Sequence, residues 1–286
     1  AKYVILEVNP RLPVTFGDTQ LRVDQATYFV EADYEVPSLP EPQPSPTDLR
    51  IGEHIADLVD DGATIQLGIG GIPNAAALAL RGKKDLGVHT EMFVDAMMEL
   101  YELGVITNRR KAYNKDKSIV TFSMGSRKLY DWLDGNMGVE FQRGRNVIDP
   151  AIVARNSRMT SINTCLMVDL TGQVCSETIG STQYSGTGGQ SDTAQGATGG
   201  FDGLGKSIIA CYSTAKGGAV STIVPTLPEG SAVTLHRSYT DHVVTENGVA
   251  KLRGRTVKER ALELIAVAAP EFRDELRSQA KRLGYI

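Results

Sequence analysis

Ala63-Thr64-Ile65-Gln66-Leu67-Gly68-Ile69-Gly70-Gly71-Ile72-Pro73 reads as a short buried strand that runs into a glycine loop, with a proline suited to the first turn of a helix. A helix over 74–81 is predicted next, stopping at Gly82. The unit then repeats. Residues 86–89 form another short apolar run, and the helix after it carries Phe93, Met97, Leu100 and Tyr101 on one face before Gly104. Further strands are predicted over 118–123, 160–168, 207–211 and 232–235. Alternation of this kind predicts an α/β fold, an open, mainly parallel sheet flanked by helices.

Upstream, Thr47 is a suitable N-cap for a helix whose stripe is Ile51, Ile55, Leu58 and Val59, closed by Gly62. Before it, Pro37, Pro40, Pro42, Pro44 and Pro46 are five of the twelve prolines in the chain, so 37–46 reads as a semi-rigid linker. Residues 1–36 hold strand-like pieces at 3–8 and 26–31 but are too few to bury a core of their own. Something is therefore expected to precede Ala1. At the other end, Thr256 and Glu259 have capping-box spacing, and Pro270 opens a last, highly charged helix.

The 286 residues are 22% charged with a net charge of −4, which argues against a nucleic-acid partner. The N-terminus alternates like a strand and lacks a signal-peptide core, and no apolar run reaches the roughly 18 residues of a membrane span. A cytoplasmic location is expected. Cys165, Cys175 and Cys211 match neither zinc nor redox spacing and read as reduced core thiols. His54, His89, His236 and His242 form no ligand motif, so no metal site is expected.

Ligands of open parallel sheets gather where strands end and loops converge. Leu86-Gly87-Val88-His89-Thr90-Glu91-Met92 places a carboxylate at such an end, where a helix is about to begin. By itself Glu91 also reads as an acid in a first helical turn, with Thr90 as cap. A second glycine loop, Ser185-Gly186-Thr187-Gly188-Gly189-Gln190, stands downstream and lets a main chain approach a reacting centre closely. The first loop has Pro73 where a dinucleotide fingerprint has its third glycine, which weakens a nicotinamide-site reading.

These three motifs in this order, followed by Val243-Val244-Thr245-Glu246-Asn247-Gly248-Val249-Ala250-Lys251-Leu252-Arg253-Gly254, resemble the acetyl-CoA hydrolase/transferase family. The likeness is strongest to its 4-hydroxybutyrate and butyrate CoA-transferases and runs over nearly the whole chain. It implies two similar α/β halves, of which this chain holds the terminal strands of the first (1–36), the linker (37–46) and the complete second (47–286). The missing half would be the same gene product or a separate chain, and a homo-oligomer is expected.

The resemblance implies that Glu91 is the nucleophile and that Gly188 and Gly189 offer backbone N–H groups to the oxyanion. It places CoA, as a substrate rather than a tightly bound cofactor, along Gly68, Gly70, Gly71, Ile72, Ser185, Gly186, Gln190 and Lys216. The densest basic run, Arg109-Arg110-Lys111, is a further candidate for the CoA phosphates. His89 is expected to line the pocket, Glu177 to form its wall, and Gln173 or Ser176 to orient a substrate carboxylate. Two departures stand out: Ile148 where the family has asparagine before Asp149-Pro150, and Thr193 where it has phenylalanine. With Gln195 in a commonly basic position, they imply an altered pocket.

The implied activity is CoA transfer between a short-chain acyl-CoA and a carboxylic acid of the acetate, butyrate or 4-hydroxybutyrate class, through a glutamyl-CoA thioester. Acyl-CoA hydrolysis and a non-catalytic CoA-binding subunit are the alternatives.

Overall fold

The computed structural model describes residues 1–40, 43–68 and 70–286; Glu41 and Pro42 of the proline-rich stretch and Ile69 of the first glycine loop lie outside the described residues. The centre is a six-stranded sheet in the order Gly248–Lys251, His242–Thr245, Lys206–Ala210, Thr160–Thr164, Thr64–Leu67, Gly87–Val88. Every neighbouring pair is parallel except the hairpin at one edge, His242–Thr245 with Gly248–Lys251. The predicted class, α/β on a mainly parallel sheet, is the one observed.

Because side chains alternate along a strand, each inner strand feeds both faces. Ile208 and Ala210 join Ile51, Ile55 and Ala76 in one buried cluster, while Ile209 between them joins Ala194, Leu264 and Ile265 in another. Helices Pro46–Leu58 and Gly71–Ala79 cover the first face, and Gln190–Thr198 and Val257–Val267 the second.

Several local expectations shift. The first helix starts at Pro46, not after Thr47: Ser45 is the N-cap, its hydroxyl accepts from Asp48 N–H at 3.2 Å, and the Asp48 side chain reaches back to Ser45. Proline at N1 with a capping box outcompetes the threonine two residues later. The next helix begins at Gly71 behind Gly70, whose φ of +115° only glycine adopts readily. Residues 232–235 are not a strand; Leu235 makes only an isolated bridge to Val174. The edge pair is instead 242–245 with 248–251, joined by the two-residue turn Glu246-Asn247 inside a motif read only for its resemblance. The 160–168 run divides: Thr160–Thr164 stays in the central sheet, whereas Met167–Asp169 pairs with Val174–Cys175 and Ile223–Val224. The Thr256/Glu259 capping box forms as expected, and Pro270–Phe272 is a 3-10 turn leading into Arg273–Arg282.

Within 1–36, Ile5–Val8 and Tyr28–Glu31 pair in parallel, and Phe16–Gly17 adds to Val139–Phe141. The two-stranded ribbon leaves Ile5, Val8, Tyr28 and Phe29 exposed. The start of the proline-rich stretch, 37–40, lies against the body of the domain, with Leu39 N–H donating to Gly125 O at 2.9 Å and Tyr130 Oη to Pro37 O at 2.9 Å.

Candidate functional site

The carboxyl end of the sheet holds a cleft of about 320 Å³. Glu91 lies in its wall, on the crossing between Gly87–Val88 and the short strand Met92–Phe93. The helix beyond starts only at Asp95 with Val94 as N-cap, so Glu91 is not in a first helical turn and Thr90 is not its cap. The reason is that 92–93 pairs in parallel with Phe122–Ser123 before the chain can coil.

The Glu91 backbone is anchored through its carbonyl. Its carbonyl accepts from Thr121 N–H at 2.9 Å and Phe122 N–H at 3.1 Å. Phe93, fully buried, stacks on Trp132 with ring centroids 5.7 Å apart. His89, expected in the pocket wall, is buried beneath it, its Nε2 2.8 Å from Val147 O and its Nδ1 without a partner. Burial, then the nearby Lys111, pushes the imidazole down to about 4 against the pull of the Val147 carbonyl. The ring is therefore neutral at pH 7, with its proton on Nε2, the nitrogen facing the carbonyl.

The second glycine loop closes on Glu91. Gly189 N–H donates to Glu91 Oε2 at 3.3 Å, and Gly186, Gly188, Ser185 and Gln190 line the same cleft. Gly189 is also the N-cap of Gln190–Thr198, so the positive end of this helix starts beside a carboxylate. No larger residue fits without displacement: a Cβ on Gly189 would lie 2.9 Å from Glu91 Oε2 and 3.0 Å from Ile148 Cγ2. Ile148 thus sets an apolar side chain beside the loop glycine, where the resemblance implied a polar one.

Gln190 is fixed by Ser176 Oγ, which donates to its Oε1 at 2.6 Å, and by its own Nε2, which donates to Thr164 O at 2.8 Å. Glu177 also lines the cleft. Its Oε1 accepts from Thr187 at 3.2 Å and its Oε2 from Thr234 at 3.1 Å, so both oxygens are engaged by hydroxyls. Gln173 does not reach the cleft: its side chain donates to Asp169 Oδ2 at 2.9 Å in a tight turn.

The first glycine loop divides between spaces. Gly68 lines the Glu91 cleft, whereas Gly70, Gly71 and Ile72 line a neighbouring cavity of about 340 Å³ with Tyr212 and Ala215. Thr164 belongs to both. Asp48 backs this loop and accepts from Tyr212 Oη at 2.7 Å. Burial works to raise the Asp48 carboxyl, yet the Tyr212 and Ser45 hydrogen bonds hold it below its ordinary range. Lys216 follows the cavity wall at Ala215 and is exposed in the turn between Thr214–Ala215 and Val220–Ser221.

The basic run at 109–111 does not serve this end of the sheet. Arg110 lies against Gly62, just before the amino end of Thr64–Leu67. Lys111 is buried, donating from Nζ to Val88 O and Lys117 O at 2.7 Å each. Burial takes its ammonium down to about 7, opposed by Glu140.

A buried polar cluster escaped the sequence reading. Gln66 and Asn163 exchange amide hydrogen bonds of 3.2 and 3.1 Å, and Ser161 Oγ lies 2.8 Å from Gln66 Oε1 and 2.9 Å from Thr193 Oγ1. Thr193 Oγ1 in turn donates to Gly189 O at 2.9 Å. Gln66, Asn163 and Thr193 form part of the cleft lining. The available signal was a glutamine inside the apolar strand 64–67 and an asparagine on the strand beside it.

Chemically, the arrangement offers two carboxylates in the wall of one cleft, Glu91 with the Gly189 N–H within hydrogen-bond range and Glu177 engaged by hydroxyls. Among the described residues no cluster of histidine, cysteine or acidic side chains could hold a metal ion, and no helix is long and apolar enough to cross a membrane.

Known proteins share this architecture. The chain is 48% identical over 282 residues to the 4-hydroxybutyrate coenzyme A transferase of Clostridium kluyveri, covering 99% of this chain and 65% of the relative. It is 43% identical to the succinyl-CoA:cyclohexane-1-carboxylate CoA transferase of Geobacter metallireducens, covering 100% of this chain and 65% of that one. The crystal structure of RipA from Yersinia pestis superposes with a TM-score of 0.94 at 38% identity, covering 100% of this chain and 64% of its own. The chain thus spans about two thirds of the length of these proteins. Residues 125–280 match the acetyl-CoA hydrolase/transferase C-terminal domain, a segment that includes the second glycine loop but not Glu91. With that match and similarity to these relatives over 99–100% of its own residues, the chain belongs to the acetyl-CoA hydrolase/transferase family.

Proposed function

We propose that the chain supplies the Glu91-bearing part of a CoA-transferase that moves CoA between a short-chain acyl-CoA and a carboxylic acid. The observation that carries this reading is the Glu91 carboxylate in the cleft wall with the Gly189 N–H 3.3 Å from Oε2. Glu91 attacks the thioester carbonyl, giving an acyl-glutamyl anhydride and CoA thiolate. The thiolate attacks the glutamyl carbonyl, which releases the first acid and leaves a glutamyl-CoA thioester. The acceptor acid then attacks that thioester, forming a new anhydride and freeing the thiolate again. Attack of the thiolate on the new acyl carbonyl yields the product acyl-CoA and restores Glu91. Each addition builds negative charge on a carbonyl oxygen, and the N–H groups of Gly188 and Gly189 stabilise it.

The CoA arm follows the cavity of Gly70, Gly71 and Ile72, which meets the Glu91 cleft at Thr164, with Lys216 at its rim facing the phosphates. Residues 1–36 belong to a first domain, supplied by the same or another polypeptide, that covers the exposed Ile5–Val8 and Tyr28–Glu31 ribbon. Self-association of the complete protein is part of this reading. The acyl group of the relative in Clostridium kluyveri, 4-hydroxybutyrate, and the short aliphatic acids are the substrates to try first.

The test is peptide mapping of the full-length protein after brief incubation with acetyl-CoA or butyryl-CoA and a borohydride quench. A reduced adduct on the Glu91 peptide is expected. CoA exchange without any adduct there, or with one on the Glu177 peptide, overturns the assignment. Turnover that does not depend on an acceptor acid would make the protein a hydrolase.

A further inference from the structure

A second cavity, also about 320 Å³, opens between the proline-rich stretch and the segment that follows Glu91. Its walls are mainly apolar side chains, Leu39, Pro40, Met92, Val94 and Met124. Gly68 and Met92 line both this cavity and the Glu91 cleft, so the two spaces adjoin beside the carboxylate. Two polar residues, Asn74 and Asp95, also line it, and the Asp95 carboxylate accepts from the N–H and the hydroxyl of Ser126. The roof is fastened by the Leu39 to Gly125 hydrogen bond of 2.9 Å. Gly125 admits no side chain, since a Cβ would lie 2.1 Å from Asp95 Oδ2. Leu39 and Met124 remain 53% and 41% exposed, apolar surface with room for a ligand against it.

We propose that this cavity is the acyl-chain pocket, taking the aliphatic chain from a carbonyl held at Glu91, past Gly68 and Met92, to lie between Leu39, Val94 and Met124. The inference rests on the reading of Glu91 as nucleophile. The alternative routes out of the cleft are less suited to an alkyl chain. One wall carries Glu177, Ser176 and Gln190, and the route past Thr164 leads to Tyr212 and the exposed Lys216. Met92 and Met124 are unbranched and adapt to chains of different length. Each methylene entering such a pocket is worth about fourfold in transition-state affinity, so preference rises with chain length until the space is filled.

The experiment compares kcat/KM for acetyl-, butyryl- and hexanoyl-CoA, with acetate as acceptor, in the full-length protein and in its Met124→Trp and Leu39→Trp variants. Filling the cavity is expected to lower the hexanoyl-to-acetyl ratio about tenfold or more. A general folding defect lowers all three together and leaves the ratio alone. A ratio unchanged in both variants overturns the pocket, including the case in which another segment of the full-length protein occupies it. If Glu91→Ala retains turnover, the nucleophile reading fails by itself. The pocket is then judged by photolabelling with a hexanoyl-CoA analogue carrying a terminal diazirine. Label on the Met124 or Leu39 peptide upholds the pocket, and label only elsewhere overturns it.

Discussion

The Gly189 N–H and the Glu91 Oε2 are 98 residues apart in sequence and 3.3 Å apart in space. The contact is possible because residue 189 has no side chain; any Cβ there would press on the carboxylate and on Ile148. Gly189→Ala keeps the backbone donor but displaces the Glu91 carboxylate. It is expected to lower kcat on the order of 10²-fold with little change in the unfolding midpoint. Steady-state kinetics beside a thermal melt checks this, and unchanged kcat would refute it.

The two carboxylates of the cleft should separate cleanly. Glu91→Gln is expected to cost at least about 10³-fold in turnover, because the attacking group is gone. Glu177→Gln keeps an oxygen for the hydroxyls of Thr187 and Thr234 and should stay within about tenfold of wild type. Parallel assays of both variants decide; the reverse order would transfer the nucleophile to Glu177.

His89 makes the fold sensitive to acid. Its pKa lies near 4 in the folded protein against an ordinary 6.5, so between those values the unfolded chain binds the extra proton and the folded one does not. Stability is therefore lost as pH falls from about 6.5 and the loss levels off below about 4. At about 1.4 kcal/mol per pH unit, the total from this group is on the order of 3 kcal/mol. Denaturant unfolding across that range should show a shallower pH slope in His89→Gln than in wild type.

Gln66 and Asn163 exchange two hydrogen bonds in a site closed to most solvent. Gln66→Leu or Asn163→Leu alone removes two hydrogen bonds from the partner amide, which keeps only its contacts to Ser161 and Thr193, and is expected to cost about 1–3 kcal/mol. The double variant should cost clearly less than the sum, since neither amide is then left unpaired. A double-mutant cycle of unfolding free energies measures the difference, and strict additivity would argue against the coupling.

Part of this was legible in the residues alone. The run from Ala63 to Pro73 carries its strand, loop and helix start in adjacent residues, and the same is true of the Thr256/Glu259 cap. Such features depend on chain stiffness, missing side chains and hydrogen bonds spanning three residues. The helix start at Ser45 was mislocated because two capping candidates stand two residues apart and Pro46 decides between them. The hairpin of 242–251 turns at Glu246-Asn247, a dipeptide that carries no strong turn signal of its own.

The sequence by itself determined the α/β alternation, because periodicity and glycine placement are written in neighbouring residues, whereas the pairing of Glu91 with the 185–190 loop came from the family resemblance of the motifs in their order. Only the tertiary structure decided that Lys111 is buried beneath the sheet edge rather than offered to a phosphate, that His89 lies under the cleft, and that Gln66, Ser161, Asn163 and Thr193 meet at its floor. Those outcomes follow from strand register. Placing Ser161 opposite Gln66 on parallel neighbours sets which side chains share a face, and no local pattern encodes that pairing.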